Sequence, residues 1–237
     1  KQAVTVNVFG TLSVARAAEE AGVDTFVLIS TDKAVNPTST MGATKRIAET
    51  IVQNRANSPD QPTTFTAVRF GNVLGSRGSV VKIFQRQIEN RGPVTVTHPE
   101  AERYFMIPSE AVLLVLEAGR MAQGDSGEVF ALDMGEPVRI LELAKEMIRL
   151  AGYEPDSEIP ISFIGLKEGE KLSEDLLTAE EGTEPTGHDK VFRARGEPPL
   201  KGDQLEGMLA RLEELVNEGT DQDVKDYLAE LFPSFER

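Results

Sequence analysis

The sequence has no cysteine and no tryptophan, and only two histidines and three tyrosines. Without thiols there is no disulfide and no thiolate metal site, which fits a reducing compartment. Two histidines, neither in an acidic–histidine spacing, give no metal-ligand pattern; His98, next to Pro99, reads as structural. Positive charge is scarce: 25 Lys and Arg against 39 Asp and Glu leave a net charge of -14. A nucleic acid backbone requires a basic face, so this balance argues against nucleic acid as a partner. A local basic pocket for a small phosphorylated ligand is not excluded. No apolar run approaches the roughly 20 residues of a membrane span, and no signal peptide is recognisable. The glycine-rich fingerprint that holds a dinucleotide's pyrophosphate after a first strand is also missing. The chain opens on Lys1 with a helical pattern already under way, which reads as a fragment.

What is present is a soluble α/β pattern. At 237 residues and 40% hydrophobic, the chain can form one large or two small domains. Helical periodicity over Val4 to Ala21 stops at Gly22. Strands are expected over Phe26 to Ile29 and Thr63 to Phe70, with a helix from Ser39 to about Asn54 between them. Further helices are expected over Val80–Glu89, Pro108–Ala122, Val138–Leu150, Leu205–Val216 and Val224–Leu231, with short strands between the earlier ones. Strands alternating with helices predict a parallel, helix-covered sheet. The fold class expected is the C-terminal half of a Rossmann-type doubly wound sheet, with a smaller α/β substrate-binding region. The expected division is 1–75, carrying catalytic residues, then 76–200, then C-terminal helices over 201–237. A strand at 128–132 is a candidate to return to the sheet.

The chemistry gathers at Leu28-Ile29-Ser30-Thr31-Asp32-Lys33 and Met41-Gly42-Ala43-Thr44-Lys45. Thr31, Asp32 and Lys33 fall at the carboxyl end of a strand, where open α/β sheets bind ligands. Met41 and Lys45 are four apart and share one helix face. A hydroxyl, a carboxylate and two ammonium groups would converge on one crevice. Taken alone, Asp32-Lys33 reads as a surface ion pair worth about 0–1 kcal/mol. The loop from Gly71 to Ser79 is rich in glycine, which lets backbone N–H groups approach an anion.

Beyond these patterns, STDKAVNPTSTMGATK at 30–45 resembles the CapD-like nucleotide-sugar 4,6-dehydratases, which are extended short-chain dehydrogenase/reductases. NVFGTLSVARAA at 7–18, RFGNVLGSRGSVV at 69–81 and RYFMIPSEAVLLVLEAG at 103–119 extend the resemblance. VFALDMGEPVRILELAKEMIRLAG at 129–152 and EGEKLSEDLL at 168–177 complete it. The resemblance implies a lyase with NAD or NADP as cofactor, acting on a UDP-sugar such as UDP-N-acetylglucosamine in surface polysaccharide synthesis. It implies a homodimer or higher oligomer, with the first helix and the Ser39–Asn54 helix pairing with their copies. It places the protein in the cytoplasm, or on the inner face of the membrane where the complete protein is anchored.

Residue by residue, the resemblance assigns Thr31 and Lys45 to hydride-transfer chemistry. Met41 stands where a Tyr is usual, and a thioether has no transferable proton. Asp32 and Lys33 match an acid and base for elimination. Ser30, Lys45 and Phe70 are implied at the cofactor. Asn72, Ser79, Val80, Val81, Lys82, Arg103, Lys167 and Glu170 are implied at the nucleotide sugar. Relatives often have Arg-Pro where this chain has Lys167-Glu168; Lys keeps the charge without bidentate geometry. Two other readings stand beside this one. A nucleotide-sugar epimerase needs no C6 elimination, so Asp32-Lys33 counts against it. A non-catalytic binding or assembly fragment would follow from the absent half of the cofactor site.

Overall fold

The computed structural model describes residues 1–58, 62–76, 78–124, 126–175, 182–195, 200 and 202–235. Pro59 to Gln61, before the expected strand from Thr63, Arg77 of the glycine-rich loop, and Leu176 and Leu177 of the last motif lie outside these residues. The first helix opens as a π-helix, Val4–Phe9, and continues as α1, Gly10–Ala21. β1, Thr25–Ile29, a 3-10 turn, Asp32–Ala34, α2, Thr40–Ala56, and β2, Thr64–Arg69, follow. Next come β3, Asn72–Val73, α3, Val80–Glu89, β4, Val94–Val96, β5, Glu102–Arg103, and β6, Phe105–Met106. α4, Pro108–Met121, β7, Val129–Leu132, β8, Val138–Arg139, α5, Ile140–Leu150, and β9, Ile161–Phe163, continue the chain. β10, Thr183–Pro185, β11, Val191–Ala194, α6, Gly202–Asn217, and α7, Asp221–Leu231, end it.

These elements form two compact units. One comprises Lys1–Phe70, Leu113–Asp133 and Asp175–Arg237; the other comprises Gly71–Val112 and Met134–Glu174. The division differs from the expected 1–75, 76–200 and 201–237. The chain leaves the first unit at Gly71, and β7 returns to it because it pairs with β2.

The first unit is built on a five-stranded sheet in the order β1-β2-β7-β11-β10. β1, β2 and β7 run parallel, whereas β11 and β10 are antiparallel to their neighbours. β2 is buried along nearly its whole length, as a central parallel strand must be when its faces are covered. α2 has two buried stripes at helical spacing. Ala48 and Val52 join Phe65, Ala67 and Val129 of the sheet. Ala43, Ile47 and Ile51 join Val4 and Val8 of the first helix with Leu212, Leu215 and Leu228 of α6 and α7. The C-terminal helices are therefore part of this unit and not a separate region. A capping box at Thr220 and Asp223 starts α7.

In the second unit α3 and α5 share an apolar core with β4 and with Ile159, just before β9; Phe84, Ile88, Val94, Val96 and Ile148 belong to it. β4 pairs parallel with β9, and β3 pairs parallel with β6. No described helix is long and apolar enough to cross a membrane.

Candidate active site

The site in the first unit grows from the carboxyl end of β1. The backbone keeps pairing with β2 beyond the strand proper: Ser30 N–H donates to the Val68 carbonyl and Asp32 N–H to the Phe70 carbonyl. Thr31 is extended, and its Oγ1 accepts the Lys33 N–H at 3.4 Å to start the 3-10 turn. The same hydroxyl donates to Asp32 Oδ1 at 2.7 Å, and Lys33 Nζ donates to Oδ1 at 2.9 Å. Asp32 is fully buried, and its Oδ2 has no hydrogen-bond partner. A buried carboxylate oxygen without a donor is costly unless a ligand or a proton completes it.

α2 begins directly beside this turn. Ser39 caps it by accepting the Gly42 N–H at 3.2 Å. Met41, Lys45 and Glu49 follow at four-residue spacing and form a stripe that runs from surface to interior. Met41 is 39% exposed, Lys45 half-buried and Glu49 fully buried. Lys45 Nζ donates to the Ile29 carbonyl at 3.0 Å. Burial pulls the Lys45 ammonium below the usual lysine range, while the Glu49 carboxylate works the other way. Thr31, Asp32 and Lys33 thus share one turn, and Met41 and Lys45 the helix packed on it.

Ser30, expected at the cofactor, has its side chain engaged inside the unit. Its hydroxyl turns into the core and donates to Glu49 Oε1 at 2.5 Å. Phe70 contributes its carbonyl to the turn through Asp32.

The second unit holds a cavity of about 450 Å³ whose lining includes Asn72, Ser79, Val80, Arg103, Lys167 and Glu170. Arg103 is buried, donating to the carbonyls of Glu102 and Leu172 and to Glu170 Oε1 at 2.8 Å. Glu170 also accepts from Thr97 Oγ1 and from the Lys167 N–H. Ser79 Oγ is buried without a hydrogen-bond partner, and Ser79 makes no side-chain cap on α3. Val81 and Lys82 do not line this cavity. Residues 80, 83 and 84 do, so helical periodicity turns 81 and 82 away, and Lys82 is exposed. Among the described residues there is no cluster of three or more His, Cys, Asp or Glu able to hold a metal.

The sequence reading missed three placements. Glu49 and Arg69 form a buried ion pair under the site. Asn7 Nδ2 donates to Thr44 Oγ1 at 3.0 Å, tying the π-helix to α2 beside Lys45. Glu49 was detectable as the third member of the Met41–Lys45 stripe, and Arg69 as the one charge in β2, at its carboxyl end. The π-helix leaves no periodic signal in so short a segment.

The family model described as "Polysaccharide biosynthesis protein" matches residues 1–196. The chain belongs to this family. Over 200 residues it is 54% identical to the capsular polysaccharide biosynthesis protein CapD of Staphylococcus aureus, covering 84% of this chain and 33% of that protein. It is 37% identical over 183 residues to a UDP-glucose 4-epimerase of Rickettsia bellii, covering 76% of this chain and 51% of that protein. The chain therefore spans between a third and about half of the length of these relatives. A crystal structure of dTDP-glucose 4,6-dehydratase from Bacillus anthracis in complex with NAD shares the fold. Its TM-score is 0.59 at 16% identity, over 70% of this chain and 58% of that one. The chain thus shares the α/β fold of that dehydratase and is similar in sequence to proteins described as a capsular polysaccharide biosynthesis protein and a UDP-glucose 4-epimerase.

Proposed function

We propose that this chain carries the catalytic groups of a nucleotide-sugar 4,6-dehydratase, of the UDP-N-acetylglucosamine type. The observation that carries this reading is the buried Asp32, whose Oδ1 holds both the Thr31 hydroxyl and the Lys33 ammonium while Oδ2 has no partner. Elimination of water across C5–C6 of a hexose needs a base at C5 and an acid at the C6 oxygen. One proton moved along the 2.9 Å Lys33–Asp32 contact converts the ion pair into an amine and a carboxylic acid, a matched base and acid. Lys33 then takes the C5 proton, Asp32 protonates the departing C6 oxygen, and a C5–C6 double bond forms as water leaves. Epimerisation at C4 has no use for this pair.

The fold family implies a nicotinamide dinucleotide, and the first unit fits one end of it. Lys45, anchored on the Ile29 carbonyl, is the group for the nicotinamide ribose; the pyrophosphate fingerprint has no counterpart in this sequence. A bound nicotinamide would supply reversible hydride chemistry, for oxidation at C4 and reduction at C6. Met41 cannot take the C4 hydroxyl proton. Thr31 Oγ1, at the mouth of the turn, is the hydroxyl placed to hold the C4 oxygen, and the C4 hydroxyl proton leaves through it to water, because Asp32 already carries the Lys33 proton.

The cavity of the second unit supports a UDP-sugar as substrate. Arg103 and Lys167 supply positive charge for a diphosphate in a chain of net charge -14. Ser79 Oγ awaits an acceptor or donor, and Asn72 adds an amide. The test is to incubate the complete protein with UDP-N-acetylglucosamine and NAD. A product lighter by one water supports the dehydratase; an isomer of unchanged mass selects the epimerase; no turnover with intact UDP-sugar binding selects the binding fragment.

A further inference from the structure

Glu49 and Arg69 are both fully buried, and no step above uses them. Glu49 Oε1 accepts from Ser30 Oγ at 2.5 Å and from Arg69 Nε at 2.8 Å. Oε2 accepts from the Arg69 guanidinium at 2.7 Å and from Arg46 at 3.1 Å. A buried ion pair is often no more stabilising than apolar residues of the same volume, so stability alone does not account for it. Its neighbours are informative. Ser30 directly precedes Thr31, Asp32 and Lys33. Arg69 directly precedes Phe70, whose carbonyl accepts the Asp32 N–H. Arg46 follows Lys45, and Glu49 lies one helical turn beyond it.

We propose that Glu49 is a positioning residue: its buried carboxylate fixes the carboxyl ends of β1 and β2 to α2 and offsets the guanidiniums of Arg69 and Arg46, which it holds one helical turn from Lys45. This rests on the reading of Lys45 as a ribose-binding group. The offset is specific because few other charges face Lys45. The π-helical segment and β1 carry no charged side chain. In the turn, Asp32 and Lys33 pair with each other. On α1, Glu19 pairs with Arg55, ten residues along α2 from Lys45 and hence about 15 Å away. α6 and α7 pack on the separate Ala43–Ile47–Ile51 stripe.

Isotopic dimethylation of lysines in this chain, with Lys45→Arg to assign the resonance, lets the titration of Lys45 be followed by NMR. Glu49→Gln should move that titration to lower pH, on the order of one unit, because two guanidiniums lose their counter-charge. Arg46→Gln should move it to higher pH. Arg46 is partly exposed, so this second variant keeps the test open if Glu49→Gln fails to fold. No movement in Arg46→Gln overturns the proposal, and so does a folded Glu49→Gln with the parent titration. A purely structural Glu49 would leave Lys45 unmoved in Glu49→Gln. The readout needs no substrate, so it succeeds or fails independently of whether the site dehydrates a nucleotide sugar.

Discussion

Gly42 stands against the main chain of Lys33: a Cβ on Gly42 would lie 2.1 Å from the Lys33 carbonyl oxygen. That approach lets α2 begin directly beside the Asp32–Lys33 turn, with Lys45 one turn further along. Gly42→Ala must push helix and turn apart. We expect it to cost roughly 1–3 kcal/mol, as overpacking does, and to abolish activity. Gly10→Ala is the control, since its Cβ would meet only the Thr5 carbonyl oxygen at 3.7 Å; in a helix it should stabilise by about 0.5–1 kcal/mol. Chemical denaturation of both variants checks the contrast.

In the complete enzyme, Lys33→Ala and Asp32→Asn should stop elimination while leaving UDP-sugar affinity nearly intact, because both act at the reacting carbons. Lys33→Ala should also lose solvent deuterium wash-in at C5, read by mass spectrometry of the recovered sugar. Exchange at the parent rate would remove Lys33 as the base. Met41→Ala should cost far less, since no proton passes through sulfur.

Arg103→Ala should weaken UDP binding roughly tenfold or more, about 1.4 kcal/mol, for loss of a charge-assisted contact. Lys82→Ala should leave it unchanged, because Lys82 is exposed and does not line the cavity. Calorimetry that ranks the two in the opposite order would move the diphosphate site.

Burial alone would raise the Glu49 carboxyl, but Arg69, Arg46 and Ser30 outweigh it and hold it below the usual carboxylate range. The unfolded chain, with a value near 4.5, therefore binds this proton more tightly than the folded one. The stabilisation is present above that value and is lost as pH falls through the lower, folded one. Acid unfolding followed by circular dichroism should begin below about pH 4.5, and Arg46→Gln should move its onset to higher pH.

The first helix and α2 were expected to pair with their copies across a dimer. Their shared apolar face is covered by α6 and α7 of the same chain, with Leu212 and Leu228 fully buried there. We expect Leu212→Ala to cost about 2–5 kcal/mol. A midpoint that rises with protein concentration would report the expected dimer, formed through a face of these helices that α6 and α7 leave open.

The order of elements was legible in the sequence, because hydrophobic period and stop signals are local. α3 has the expected bounds, and α1 ends where Gly22 turns to φ 63. Thr31, Asp32 and Lys33 could be placed at a strand end for the same reason, as could the Met41–Lys45 stripe. Tertiary structure decided what depends on residues distant in sequence. The sequence does not show that the Ser30 hydroxyl is bonded to Glu49, nineteen residues on. Lys82 lies on α3 away from the cavity that Val80, Ile83 and Phe84 line. The last two helices showed amphipathic faces, and only packing revealed that α2 and the first helix cover them. A side chain's type and period are written in its own segment; which partner satisfies it is set by chain closure, where burial forces each polar group to find the one donor or acceptor within reach.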